Sequence, residues 1–216
     1  MATFEVSPWL TPMAYFLFHQ IVLPLYFGKI RIEGQELLPK SGAVIIAPTH
    51  RSRWDPILLG YAMGRRVTDR DLRYMVLLDQ TRGVQGWFVR RLGGFPIDRD
   101  RPASSSIRYS VELLQNQEVL VLFPEGRIFL DNQIHPVQSG VARIALQAIS
   151  GQANLDLKIV PVSILYDHPA PPPWKSGVQI KIGAPLQVKD YCGDSTKQAA
   201  RQLTENLESA LKALHQ

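Results

Sequence analysis

Apolar runs of strand length alternate with longer stretches of helical periodicity through most of the chain. The predicted strands are Ala43–Ala47, Tyr74–Leu78, Gly94–Ile97, Val119–Phe123, Leu157–Val162 and Val178–Ile182. The predicted helices are Ile57–Met63, Trp87–Leu92, Ser104–Gln115, Val141–Ser150 and Thr196–Leu214. Strands that alternate with helices in this way predict an α/β fold, a single domain with a largely parallel or mixed sheet flanked by helices.

The N-terminal pattern is different, since Val6–Gly28 contains no charged residue and many aromatic ones. The run is long enough for a membrane span. However, three prolines interrupt it, and His19 and Gln20 place polar atoms near its middle. We therefore expect one or two short helices that lie in a membrane interface, and the alternative is a helix packed on the domain's own core. The predicted division is a segment 1–28 and a domain 29–216.

Positive charge is concentrated in one stretch of the chain. The net charge is +5, and Arg51–Arg101 contains eleven arginines and six aspartates. Such a sector attracts an anionic partner: a phosphorylated substrate, an acidic carrier protein, anionic lipid or nucleic acid. The alternative is a solvated arginine-rich face. The single cysteine, Cys192, excludes an internal disulfide and is typical of a reducing compartment.

The first candidate for chemistry is His50, which follows a predicted strand and precedes Asp55 by five residues. Asp55 is predicted to be the N-cap of the next helix, with Pro56 at its first position. The intervening turn brings the two side chains together. An aspartate that accepts from one imidazole nitrogen leaves the other as a base for an alcohol. A surface histidine beside a helix cap is the alternative.

Three further segments end predicted strands, where open α/β sheets place their sites. A glycine turn leads into a short strand that ends at Arg99, a residue suited to bind a phosphate. The strand Val119–Phe123 leads into Pro-Glu-Gly, which places Glu125 at the sheet edge with Arg127 nearby. Pro161 is predicted to close the next strand, because proline fits poorly in the middle of a ladder.

The order of these motifs carries more information than any one of them. His-x-x-x-x-Asp, Gly-x-x-x-Ile-Asp-Arg, Phe-Pro-Glu-Gly and Val-Pro-Val occur in series between His50 and Val162, more than half the chain. This series resembles the glycerolipid acyltransferase family typified by 1-acylglycerol-3-phosphate acyltransferases. The resemblance implies acyl transfer from acyl-CoA or an acyl-carrier protein to a lysophospholipid hydroxyl, at the cytoplasmic face of a membrane.

The resemblance also implies roles for individual residues. His50 would be the general base and Asp55 would orient it. Arg99 would bind the acceptor's phosphate, while Glu125 with its neighbours Gly126 and Arg127 would help to form the acceptor site. Pro161 would shape the wall that contacts the acyl chain. No metal or bound cofactor is expected, because thioester cleavage supplies the driving force.

The chain departs from the family pattern at three places. Thr49 stands where asparagine is common, and Arg127-Ile128-Phe129 replaces Thr-Arg-Ser after the Phe-Pro-Glu-Gly motif. Gln138 replaces the lysine of a Lys-x-Gly motif. Arg99 would therefore carry more of the phosphate binding, helped by Arg127 or by Arg51 and Arg53. The alternative is an acceptor without a phosphate, such as an aminolipid or a lipid-like alcohol.

Other classes of function fit the sequence less well. A non-catalytic lipid-binding protein on the same scaffold has no need for the histidine, the aspartate and the glutamate together. The chain has no Gly-x-Ser-x-Gly, which disfavours a serine esterase, and its five histidines lack the paired spacing of a metal site. Nucleic-acid binding would explain the charge but neither the apolar N-terminal segment nor the motif series.

Overall fold

The fold is described from a computed structural model that covers residues 6–97, 104–169, 171–193 and 195–216. Eight strands form one mixed sheet with the order β1-β7-β6-β2-β5-β3-β4, and β8 pairs with β6. β7 and β8 run antiparallel to β6, and the other pairings are parallel. The strands are β1 Lys29–Glu33, β2 Ala43–Pro48, β3 Leu72–Leu77, β4 Gly94–Ile97, β5 Val119–Val121, β6 Leu157–Tyr166, β7 Gly177–Ile182 and β8 Leu186–Gln187.

In the described residues, eight α-helices and several short 3₁₀ turns pack around this sheet. The helices are α1 Leu10–Leu17, α2 Leu23–Tyr26, α3 Asp55–Met63, α4 Arg65–Thr68, α5 Gly83–Arg91, α6 Ser104–Gln115, α7 Gly140–Gly151 and α8 Thr196–Leu214. A π-helical turn, Phe18–Val22, joins α1 to α2 without a break. No helix in the part of the chain that the structure describes is long and apolar enough to cross a membrane.

The central strand β2 is buried on both faces, so all of its side chains are apolar. Ile45 packs in a cluster with buried residues of α6, α7 and α8 on one face. Ile46 points to the other face and packs with α3 and with Leu23 of α2. The sheet is therefore the middle of three layers, and the strand that leads to His50 is held rigidly.

The predicted α/β class is confirmed, and β4, α6 and α8 have the predicted bounds. The strand predicted to close at Pro161 instead continues to Tyr166. Within a strand, the N–H and C=O of one residue point to the same side, and the carbonyl of Pro161 accepts from Gly183 N at 2.9 Å. Pro161 lies between the part of β6 that pairs with β8 and the part that pairs with β7. The N–H that proline lacks is therefore not needed for a hydrogen bond between strands.

The N-terminal segment is helical, as predicted, and packs on the rest of the chain. Ser7 N donates to Arg91 O at 2.9 Å, and the Thr11 hydroxyl donates to the same carbonyl at 3.3 Å. Its outer side nevertheless exposes large apolar side chains, with Trp9 and Phe16 each 61% exposed. The segment thus has one face against the domain and one apolar face open to its surroundings.

Candidate active site

His50 lies in the loop between β2, which ends at Pro48, and α3, which begins at Asp55. Its Nδ1 is 2.8 Å from Oδ2 of Asp55, whose side chain is fully buried. The imidazole also stacks on the ring of Phe123, with 3.8 Å between centroids and 22° between planes. The contact of Nδ1 with Asp55 and the stacking on Phe123 together fix the orientation of the ring, as expected for a positioned base.

The carboxylate of Asp55 is the hub of this loop. Its Oδ2 also accepts from Arg51 N at 2.6 Å and Ser52 N at 2.8 Å, and its Oδ1 accepts from the Tyr166 hydroxyl at 2.6 Å. The predicted N-cap role is wrong, because Trp54 occupies the cap position and Asp55 is already helical. The carboxylate turns back into the loop, where these donors satisfy it.

These contacts define the proton positions on His50. Oδ2 of Asp55 acts as an acceptor toward its other partners, and it also accepts from Nδ1. In the neutral ring the hydrogen therefore lies on Nδ1 and the lone pair on Nε2. No protein group among the described residues hydrogen-bonds to Nε2. His50 lines the large cleft of the molecule, so this nitrogen is available to a substrate hydroxyl.

Glu125 and Arg51 form a buried ion pair beneath the same loop. Arg51 Nη1 lies 2.6 Å from Glu125 Oε2 and Nη2 lies 2.9 Å from Oε1, and both side chains are at most 1% exposed. Glu125 also accepts from His50 N at 3.0 Å and from His135 N at 2.9 Å. The glutamate thus holds the backbone of His50, and Arg51 has no charge free for a phosphate.

The rest of the Phe-Pro-Glu-Gly turn opens toward the cleft. Gly126 has φ +76°, a left-handed conformation that favours glycine, and an added Cβ would meet the Gln138 amide at 2.7 Å. Arg127 is exposed, and its guanidinium lies 4.5 Å over the Phe129 ring. Both Gly126 and Arg127 line the cleft with His50.

Arg99, to which the resemblance gives the acceptor's phosphate, falls outside the described residues. Pro161 is buried inside β6 and is not among the residues that line the cleft. The structure thus brings His50, Gly126 and Arg127 together at the cleft and places Asp55 and Glu125 behind them.

The cleft has a volume of about 1120 Å³ and is mostly apolar. Its walls come from the N-terminal helices, α3, β3, α5 and α7. The inner side of the N-terminal helices contributes Thr11, Ala14, Tyr15, Phe18 and His19. One helical segment therefore separates the cleft from the exposed apolar surface outside it, and burial raises the pKa of Tyr15 in that wall to about 12.

The described part of the arginine-rich stretch, up to residue 97, does not form one free basic surface. Arg51 is paired with Glu125, and Arg65 binds Asp71 through two hydrogen bonds of 2.8 and 2.5 Å. Arg53 is exposed, lines the cleft and has no ionic partner among the described residues. The positive charge that faces the cleft therefore comes from a few arginines.

The Tyr166–Asp55 contact and the Arg51–Glu125 pairing are parts of the candidate site that the sequence patterns do not predict. Tyr166 is 111 positions from Asp55, so no local spacing indicates their contact. The glutamate motif was found, but nothing in its pattern shows that the side chain points inward. Among the described residues, no group of three or more histidine, cysteine or acidic side chains is arranged to hold a metal ion.

Comparisons with known proteins agree on one family. A family model described as Acyltransferase matches residues 29–165. The 1-acyl-sn-glycerol-3-phosphate acyltransferase of Bacillus subtilis (strain 168) is 28% identical over 190 residues, which are 87% of this chain and 88% of that protein. The enzyme of the same name from Streptococcus pneumoniae is 28% identical over 152 residues, 68% of this chain, and this alignment spans 51% of that relative.

A solved structure shares the fold. The 1-acyl-sn-glycerophosphate acyltransferase of Thermotoga maritima superposes with a TM-score of 0.67 and 21% sequence identity. The match covers 95% of this chain and 80% of the other.

Proposed function

The chain belongs to the acyltransferase family, and we propose that it transfers a fatty acyl group from an acyl thioester to the free hydroxyl of a lysophospholipid. The acceptor we propose is 1-acylglycerol 3-phosphate, which gives phosphatidic acid. The names of the Bacillus and Streptococcus relatives support this acceptor. The observation that carries the proposal is the His50–Asp55 pair, 2.8 Å apart at Nδ1, with His50 lining an apolar cleft.

In the proposed reaction, Nε2 of His50 takes the proton of the acceptor hydroxyl as its oxygen attacks the thioester carbonyl. Asp55 holds the ring and stabilises the charge that forms on it. The tetrahedral intermediate then collapses, the C–S bond breaks, and the thiol leaves with the proton from His50. A positioned base of this kind contributes about 10²- to 10⁴-fold to the rate.

The cleft supplies a site for the hydrocarbon of the substrates. Its apolar walls extend from His50 to the inner side of the N-terminal helices. The opposite side of these helices exposes Trp9, Met13, Phe16, Leu17, Ile21 and Leu25, which we call the outer stripe. We infer that the outer stripe lies in the membrane interface at the cytoplasmic face, so that lipid enters the cleft past the same helices.

Arginines at the cleft are the proposed partners of the acceptor phosphate. Arg127 and Arg53 line the cleft, are exposed and have no ionic partner among the described residues. We assign the phosphate to Arg99 and Arg127, while Arg51 is excluded by its pairing with Glu125. Direct acceptor contacts of Glu125 and Gly126, and a contact of Pro161 with the acyl chain, stay predictions.

A product assay tests this function. Purified protein is offered acyl-CoA and acyl-carrier protein in turn, against a panel of lysophospholipids and neutral monoacyl acceptors, and products are identified by mass spectrometry. We expect phosphatidic acid from lysophosphatidic acid with at least one donor. Product from neutral acceptors alone would favour the second candidate, an acyltransferase for a non-phosphate acceptor. The presence of Gln138 in place of the family's lysine is the observation that favours this candidate. No product from any pair would favour a lipid-binding protein.

A further inference from the structure

A second exposed tryptophan lies next to the end of the outer stripe. The proline-rich segment of residues 171–175, which we call the Trp174 loop, connects β6 to β7 and is distant in sequence from the N-terminal helices. Trp174 is 70% exposed, and it neighbours Leu25, which is 61% exposed. We propose that the Trp174 loop is a second membrane anchor, which inserts the Trp174 ring into the bilayer interface beside the outer stripe. This inference rests on the membrane docking proposed above.

Hydrogen bonds hold the Trp174 loop firmly against the end of α2. The Trp174 indole donates to Leu25 O at 2.6 Å, and Lys175 N donates to Tyr26 O at 2.7 Å. In the opposite direction, the Tyr26 hydroxyl donates to Pro172 O at 2.7 Å. The loop and α2 therefore present their outer side chains as one surface.

The indole N–H is the group that opposes burial of tryptophan in an apolar medium. In Trp174 this donor is already satisfied by the Leu25 carbonyl, so the ring enters lipid without an unmade hydrogen bond. The backbone of Lys175 has φ +67°, which is uncommon for a residue other than glycine. The loop thus has an uncommon backbone conformation next to an exposed tryptophan.

The distribution of apolar and charged groups fits a bilayer interface. The outer stripe runs about 24 Å from Trp9 to Leu25 at 1.5 Å per residue, and Trp174 adds a second tryptophan at its far end. The ammonium of Lys175 lies 5.5 Å from the Trp174 ring. An aromatic ring beside a lysine on a long stem is typical of the headgroup region, where the ring contacts hydrocarbon and the ammonium contacts lipid phosphate.

The surface also lies next to the candidate active site. Tyr26 packs on Trp54 at 4.4 Å between centroids, and Phe27 packs on the same ring at 5.6 Å. Trp54 stands in the loop between His50 and α3. Anchoring at Trp174 would therefore bring the bilayer close to the loop that carries the catalytic base.

Vesicle flotation of the full-length protein tests the proposal. The vesicles contain phosphatidylcholine alone or phosphatidylcholine with phosphatidylglycerol. We expect Trp174→Ala to raise the dissociation constant for both by about tenfold or more, since it removes a large apolar side chain that would be buried in the lipid. Leu25→Ala should weaken binding as well. Leu130→Ala is the matched control, because Leu130 is also 61% exposed but belongs to neither the outer stripe nor the Trp174 loop. Lys175→Gln should weaken binding to the anionic vesicles only.

Three outcomes would overturn the proposal. The first is that Trp174→Ala binds vesicles as well as the unsubstituted protein does. The second is that Trp174→Phe, which keeps an apolar ring, loses as much binding as Trp174→Ala. The third is a dimer, seen by light scattering, that Trp174→Ala dissociates, which would make a second copy the occupant. If Trp174→Ala fails to fold by circular dichroism, Trp174→Phe and Lys175→Gln decide. Acyl transfer in detergent micelles is measured separately, so a failed enzymatic proposal leaves the flotation result interpretable.

Discussion

The hydroxyl of Tyr166 donates a 2.6 Å hydrogen bond to Oδ1 of Asp55, the carboxylate whose other oxygen lies 2.8 Å from Nδ1 of His50. Burial, reinforced by the Asp55 charge, raises the pKa of Tyr166 far above its ordinary value, so the hydroxyl stays a donor. Tyr166 comes from β6 and Asp55 from the start of α3. The aspartate is thus fixed relative to the sheet before it orients the imidazole.

Tyr166→Phe should lower kcat about 10- to 150-fold and leave KM nearly unchanged, because a hydrogen bond to a charged group is worth about 1.5–3 kcal/mol. The expected loss is in kcat and not in KM, because Tyr166 contacts Asp55 and acts on the reaction only through the position of that carboxylate. Tyr26→Phe is the control, since Tyr26 bonds Pro172 O and not Asp55. An unchanged kcat would contradict this role.

Glu125→Gln should destabilise the protein by about 3–5 kcal/mol, because it leaves Arg51 as a buried charge without its partner. Replacing both partners, with Arg51→Met and Glu125→Leu, should recover much of that loss. Urea unfolding of the two variants and the unsubstituted protein measures the difference. A stable Glu125→Gln variant with a raised acceptor KM would show instead that the glutamate acts on the substrate.

Arg99→Ala and Arg127→Ala should each raise the KM for lysophosphatidic acid about tenfold, through loss of a charged hydrogen bond to phosphate. The KM for a neutral monoacyl acceptor should stay nearly constant. Arg201→Ala is the control, because its side chain is 81% exposed on α8 and pairs with Glu205. Equal use of phosphate and neutral acceptors by the unsubstituted protein would rule out the phosphate role of both arginines.

Acid should destabilise the protein in part through His215. Its Nε2 lies 2.7 Å from Asn132 O, which only accepts, so in the neutral ring Nε2 carries the hydrogen and Nδ1 accepts from the Ser163 hydroxyl at 2.8 Å. Burial lowers the pKa of His215 from its ordinary 6.5. Below pH 6.5 the unfolded chain therefore takes up a proton that the folded chain does not. The free energy of unfolding thus decreases as the pH is lowered.

His215→Gln should make that decline shallower between pH 7 and 5, as measured by urea unfolding at each pH. Equal slopes in the His215 variant and the unsubstituted protein would contradict the assignment.

Most of the helices and strands could be predicted from local sequence patterns. The bounds of α8 follow from its amphipathic period and the Ser195 cap, which accepts from Gln198 N at 3.4 Å. β1 was missed because its side chains alternate between exposed and half-buried at the sheet edge, so its sequence lacks an apolar run. β6 was cut short because the sequence does not show which strand faces Pro161.

The candidate site was predictable only where its parts are close in sequence. His50 and Asp55 are five residues apart, and a single turn joins them. Tyr166 and the Arg51–Glu125 pair depend on contacts over 111 and 74 positions, which the register of β6 on β2 and the turn after β5 determine. Asp55 was mistaken for a cap because Asp-Pro at a helix start predicts one whether or not a histidine competes for the carboxylate.

The most direct test of the account is the rate at which His50→Ala forms phosphatidic acid from lysophosphatidic acid and an isotopically labelled acyl thioester, followed by mass spectrometry. If His50 is the base, the rate should be at least about 100-fold below that of the unsubstituted protein, with thermal unfolding little changed and His168→Ala fully active. A His50→Ala variant that forms labelled phosphatidic acid at the unsubstituted rate would contradict it.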